Sequence, residues 1–100
     1  VTVALAWQGR VANDELNALH AEGFGHSLLN TDWEDRLARH SLGWVVARDA
    51  DRLVGFVNLA WDGGAHAFLL DTVVAETHRG HGVGHALVQA AKAGRCPPIR

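Results

Sequence analysis

The sequence holds a single cysteine, Cys96, so no internal disulfide can brace it and no thiolate cluster can hold a structural zinc. Packing must do that work. Proline is almost missing as well: the only two, Pro97 and Pro98, sit side by side near the end, which leaves one continuous domain followed by a distinct tail. No apolar run approaches the roughly 18 residues of a membrane span, and no basic segment precedes Val1 to Trp7 to make a secretory signal. A cytoplasmic protein without a membrane partner is expected. Net charge is small, −2 with a pI near 6.4, and supplies no broad field for a polyanion, so nucleic acid is not expected as a partner. Arginine far outnumbers lysine, which reads as compositional bias and carries no function. There are no repeats and no low-complexity tracts.

What is present is an ordinary globular balance. Over 100 residues, 48% are hydrophobic and 20% charged, enough for one packed core and incompatible with a disordered or collagen-like chain. Residues 1–100 are therefore expected to form a single domain.

Val1, Val3, Leu5 and Trp7 alternate with Thr2, Ala4, Ala6 and Gln8, the two-residue period of a strand with one face on a core. Asn13 is placed to cap a short helix with Leu16, Leu19 and His20 on one face and Gly23 as its stop. Thr31-Asp32-Trp33-Glu34 has the spacing of a capping box, opening a second helix to about His40 with Trp33 and Leu37 turned inward. The period then changes. Trp44 to Asp49 and Arg52 to Trp61 are rich in β-branched and aromatic residues and flank the turn Asp49-Ala50-Asp51, the pattern of a hairpin. A further strand, about His66 to Val74, follows the turn Asp62-Gly63-Gly64 and extends an antiparallel meander. After Gly82, residues Val83, Ala86, Leu87, Ala90 and Ala91 share a helix face, with Gly94 as the stop. The expected fold is α+β, in the order β-α-α-β-β-β-α.

The chemistry concentrates in Thr72 to Leu87, where a strand runs into a glycine-dense turn that opens a helix. Unpaired amides at such a helix start, with the positive end of the macrodipole behind them, bind phosphate. Gly80, Gly82 and Gly84 leave no Cβ in the path of a phosphate oxygen, and Arg79 adds a charged donor. The plainer alternative is a glycine turn made only to reverse the chain. A P-loop is excluded, because His85 follows Gly84 where that motif needs Lys and then Ser or Thr. The dinucleotide fingerprint also fails: its final Gly or Ala would fall on His85 counting from Gly80, or on Leu87 counting from Gly82.

Arg79, Gly82 and Gly84 do stand at the three defining positions of an Arg/Gln-x-x-Gly-x-Gly/Ala motif, and the stretch resembles the coenzyme A binding segment of the GCN5-related N-acetyltransferase (GNAT) superfamily. With the order of elements before it, the resemblance covers about residues 1 to 94. It implies an N-acetyltransferase with acetyl-CoA as co-substrate and a small-molecule or protein amine as acceptor. It also implies that amides of Arg79, Gly80, His81, Gly82, Val83 and Gly84 cradle the pyrophosphate, while amides near Val73 and Val74 pair with the pantetheine arm as another strand would. The mechanism it implies has a base deprotonate the ammonium, the amine attack the thioester and strand amides steady the oxyanion.

Two departures stand out. Relatives continue beyond this helix into further strands that often carry a tyrosine acid, and this sequence has no Tyr; the domain is expected to be incomplete at its C-terminus. The family's usual Glu or His base falls on Leu70. No catalytic residue is assigned from the sequence, and a catalytically silent module that binds coenzyme A weakly or mediates protein association is the alternative reading. Asp71 reads first as a satisfied strand residue and second as a base or ammonium anchor. His66 reads as a surface residue, and His78, His81 and His85 as extra phosphate donors in preference to metal ligands. Trp7, Trp33, Trp44 and Trp61 read as core, with Trp33 the one candidate for touching acceptor. Cys96 reads as incidental. An unblunted apolar edge over Phe68 to Val74 implies a homodimer, unless the proline-bearing tail doubles back over it.

Overall fold

The computed structural model describes residues 3–61, 64 and 66–95. Val1, Thr2, Asp62, Gly63, Cys96 and the two prolines lie outside the described residues, and with them part of the Asp62-Gly63-Gly64 turn and the tail. The order is β1 (Ala4–Trp7), α1 (Asn13–Phe24), α2 (Trp33–His40), β2 (Ser41–Asp49), β3 (Arg52–Trp61), β4 (Ala67–Val74), a 3-10 turn (Glu76–His78) and α3 (Val83–Arg95). This is the expected α+β succession. The described strands form one antiparallel sheet in the order β1-β2-β3-β4, so β4 is an edge.

The sheet is covered on both faces, as its central strands require. Their sequences run nearly unbroken in apolar residues, with Val45, Val46, Ala47, Val54, Phe56 and Val57 all buried. Leu16, Leu19, Trp33 and Leu37 bring α1 and α2 onto the face carrying Phe56 and Val73, while Val83, Leu87 and Ala91 lay α3 across the other. Gly55 permits that second approach: a Cβ there would sit 3.0 Å from Leu87 Cδ1.

Local details differ from the sequence expectation, through hydrogen bonds at the helix starts and through close packing at two glycines. Asn13 is the first residue of α1, not its cap, and its Oδ1 accepts from the Glu34 N–H of α2 at 2.9 Å. That contact displaces the Thr31–Glu34 capping box. Asp32 caps α2 instead, accepting from the Asp35 N–H at 3.1 Å. Gly23 does not stop α1; the helix runs on to Phe24, and Gly25 closes it in the left-handed region with φ 68°. Gly94 is likewise a helical residue, with the Trp7 ring lying where its Cβ would be.

The tryptophans divide. Trp33 is 2% exposed and belongs to the core, Trp44 is partly buried with its Nε1–H on Gly9 O, but Trp7 lies on exposed β1 and Trp61 is 53% exposed. An edge strand under a helix that covers mainly the sheet's centre cannot bury its apolar face, which is why all of β1 stays exposed. Glu15 ties α1 to β2: both its oxygens accept from the Arg48 guanidinium, at 3.0 and 2.6 Å, and this pairing holds its carboxyl below the usual glutamate range against an opposing contribution from burial.

Candidate functional site

The loop between β4 and α3 is rooted before it turns. Ala75 N–H donates to Val54 O at 2.7 Å, Glu76 N–H donates to a carboxylate oxygen of Glu22 on α1 at 2.6 Å, and His78 Nε2 lies 2.8 Å from the Asp49 carboxylate. His78 is buried, with Nδ1 on the Thr77 hydroxyl, so it anchors the turn to the β2–β3 hairpin and does not serve as the phosphate donor expected of it.

Beyond this anchor Gly80 and Gly82 take φ values of 82° and 81°, a region that side-chain-bearing residues enter at a cost. Gly82 O accepts from Ala86 N–H at 3.0 Å, making Gly82 the cap of α3. The amides of Val83, Gly84 and His85 therefore have no carbonyl one turn below them, and the helix dipole reinforces their positive end. A Cβ on Gly80 or Gly82 would meet no protein atom within 4 Å, whereas one on Gly84 would rest 3.7 Å from Val74 Cγ2. The first two glycines open space beside the amides, and the third lets the helix start close to β4. This is a cradle an anion fits.

Arg79 is exposed, and part of its side chain is engaged within the protein. Its N–H points to Glu76 O at 3.4 Å and its Nε donates to Val74 O at 3.1 Å, which pins the end of β4 to the loop. The amides left to the cradle are those of Gly80 to Gly84. Residues of an antiparallel ladder turn their polar groups alternately to the two sides. Because Ala75 N–H faces β3, Val73 faces it too, and Val74 presents its groups to the open edge, where Arg79 meets its carbonyl. His81 lines a cleft of about 440 Å³ with Val3, Leu5, Gly82, Val83 and Ala86, and His85 is exposed on the first turn of α3.

Further back along the same edge, Leu70 pairs with Asn58 and Val73 with Phe56, so Asp71 and Thr72 together oppose Val57 alone. This is a β-bulge, and Asp71 occupies it with φ 58°. The bulge re-aims Asp71 onto α1, where its Oδ1 lies 3.1 Å from His20 Nε2. His20 Nδ1 lies 2.7 Å from His26 Nε2, and His26 Nδ1 lies 2.7 Å from Ser27 O. Phe24 and Trp33 flank the His20 ring at 4.5 and 5.3 Å between centroids. The placement of Trp33 is therefore beneath the site, supporting His20. The helical period places His20 on the inward face of α1 but carries no signal for His26; no spacing rule connects positions 20, 26 and 71, which only the bulge and the packing of α1 on β4 bring together.

The model of the acetyltransferase (GNAT) family matches residues 10–94. Among solved structures, the chain is similar to a probable acetyltransferase of meticillin-resistant Staphylococcus aureus at 20% identity and TM-score 0.76, covering 93% of this chain and 68% of that one. A GNAT family acetyltransferase of Streptococcus pneumoniae matches at 23% identity and TM-score 0.74, over 94% of this chain and 67% of that one. An Escherichia coli GNAT family N-acetyltransferase in complex with CoA matches at 18% identity and TM-score 0.75, over 93% of this chain and 56% of that one. No curated protein matches the sequence significantly.

Proposed function

Since the chain belongs to the GNAT acetyltransferase family, whose co-substrate is acetyl-CoA, we propose that it transfers the acetyl group of acetyl-CoA to the amine of a small molecule or protein. The observation that carries this reading is the cradle at the start of α3, adjoining the outward-facing backbone of Val74. Amides of Gly80 to Gly84 would hold the pyrophosphate at the positive end of the helix, and Val74 would pair with the amide-bearing arm as a further strand. Arg79, by bracing the Val74 carbonyl, keeps cradle and edge in one geometry.

Calorimetric titration with acetyl-CoA tests the reading directly. Binding is expected, followed by thiol release when a primary amine is added. A chain that takes up no coenzyme at millimolar concentration would sink the assignment, and binding without thioester cleavage across a panel of amines would make it a binding module only.

A homodimer is part of the same proposal. Phe68, Leu69 and Leu70 are exposed on an edge strand that has no partner beyond it among the described residues, and such an edge recruits a second chain. Two-fold association is the commonest closed arrangement, and contact through these residues or through α3 would provide it. Sedimentation across a concentration series should show the dimer. A compact monomer throughout, with fast exchange at those amides of Phe68 to Leu70 that face away from β3, would refute it.

Among the described residues no helix is long and apolar enough to cross a membrane.

A further inference from the structure

We propose that Asp71, His20 and His26 form a relay that takes up one proton as a unit at the edge of β4, and that this relay is the base for the reaction proposed above. The inference rests on that reading for the reaction and on geometry alone for the relay.

Counting protons makes the case. The chain of contacts runs from the Asp71 carboxylate through both imidazoles to the Ser27 carbonyl, and its two end atoms are acceptors. Ser27 O cannot donate, so His26 Nδ1 carries a proton. His26 Nε2 is then an acceptor when that ring is neutral, and His20 Nδ1 must donate to it. A neutral His20 has no second proton to give, which leaves its Nε2 lone pair facing the ionised Asp71 Oδ1 at 3.1 Å. Two neutral rings therefore leave this contact without a proton. Uptake of one proton there completes all the bonds and converts a repulsive contact into an ion pair, with His20 and Asp71 only 18% and 25% exposed.

The surroundings suit a device of this kind. Phe24 and Trp33 give His20 an apolar flank, the Arg36 guanidinium lies over the Trp33 ring at 4.9 Å, and the nearby Glu22 carboxylate on α1 is engaged by the Glu76 amide. Asp71 keeps an uncommon backbone conformation for a residue with a side chain, and the bulge that imposes it is what turns the carboxylate onto α1.

Position links the relay to the reaction. An arm that starts at the cradle and pairs with Val74 runs back along β4 toward Asp71, three residues away, about 10 Å at the rise of an extended strand. An incoming ammonium gives one proton to the relay between Asp71 and His20. Its freed lone pair forms the C–N bond to the acetyl carbon, the C–S bond breaks with its electron pair going to sulfur, and the second amine proton passes to the thiolate. The relay then returns its proton to solvent.

Asp71→Asn is the discriminating variant. Asparagine tolerates the left-handed conformation, and its amide N–H can donate to His20 Nε2, so the neutral chain is already complete and the need for an extra proton disappears. Ring-nitrogen NMR of the ligand-free protein should show His20 and His26 responding together to a single proton uptake. That shared response should be absent in Asp71→Asn and broken in His26→Gln. Independent responses of the two rings in the parent would overturn the relay even where acetyl-CoA binds normally, whereas failed acetyl-CoA binding with a coupled response would count against the reaction and the base role alone. In thiol-release assays with primary amines, both variants should keep the KM for acetyl-CoA, lose about 100-fold in kcat and lose the acid limb of the pH profile. Unchanged kcat and pH profile, or a coenzyme-binding parent that releases no thiol with any amine, would overturn the base role.

Discussion

Gly82→Val is expected to lower coenzyme A affinity by about 100-fold or more while the protein stays folded. Gly82 caps α3 at φ 81°, where a β-branched residue carries backbone strain of order 1–3 kcal/mol. The chain can relieve it only by moving the cap, and with it the amides of Val83 and Gly84. Room is not the obstacle within the protein, since a Cβ at this position meets nothing within 4 Å. The added isopropyl group instead occupies the space beside the amides that the pyrophosphate would fill. Strain and occlusion act together, and each 1.4 kcal/mol is tenfold in affinity. Gly84→Ala serves as the contrast: its Cβ rests at an ordinary 3.7 Å from Val74 Cγ2 and its backbone needs no left-handed conformation, so binding should change little. Calorimetry with circular dichroism on the same samples checks both. Equal binding by Gly82→Val and the parent would remove the cradle from the site.

A large loss of stability should come from replacing a polar residue in the core, Asn17→Leu. Asn17 is 4% exposed and its side chain knots α1 to α2: Oδ1 accepts from Trp33 Nε1 at 3.1 Å and from Thr31 N at 3.2 Å, and Nδ2 donates to Thr31 O at 2.9 Å. Leucine has the same branching but is bulkier, and it leaves these partners without bonds. Trp33 is buried, so its N–H cannot turn to water, and the Thr31 groups are only part-exposed. At about 1–3 kcal/mol for each buried group left unpaired, a total near 3 kcal/mol is expected, a large share of the roughly 5–15 kcal/mol that holds a domain together. The damage should spread, because the Trp33 ring lies against both His20 and Phe56. Urea denaturation should show a lower midpoint with an unchanged slope. A midpoint equal to the parent's would mean that the Trp33 N–H had found another acceptor.

The sequence made the meander and the glycine loop legible for different reasons. The hairpin of β2 and β3 was readable because β-branched residues and a short polar turn act locally, and β3 spans the expected Arg52–Trp61. The loop was readable because glycine is almost the only residue that serves at Gly80 and Gly82, so a backbone demand leaves its mark in composition. Helix ends were less legible. Asn13 and Thr31 have the right chemistry for caps, but a hydrogen bond offered by another element competes on equal terms with one offered by the next turn, and Asn13 went to α2 while Thr31 went to Asn17. Gly23 and Gly94 look like stops, yet they are small because Val73 and Trp7 pack where their side chains would be.

What the sequence alone determined is the order of elements and a glycine-opened start to the last helix, since periodicity, turn chemistry and glycine spacing are short-range properties of the chain. Tertiary structure decided which backbone groups face outward, with Val74 presented and Val73 turned inward, because that depends on the register of β4 against β3. It decided that Arg79 braces the strand and that His78 is an anchor. It also assembled Asp71, His20 and His26, residues as much as 51 positions apart, through a bulge whose extra residue rotates one carboxylate from the strand's edge onto a helix. Contacts between side chains distant in sequence carry no local signature, and they exist only once the sheet has set its register.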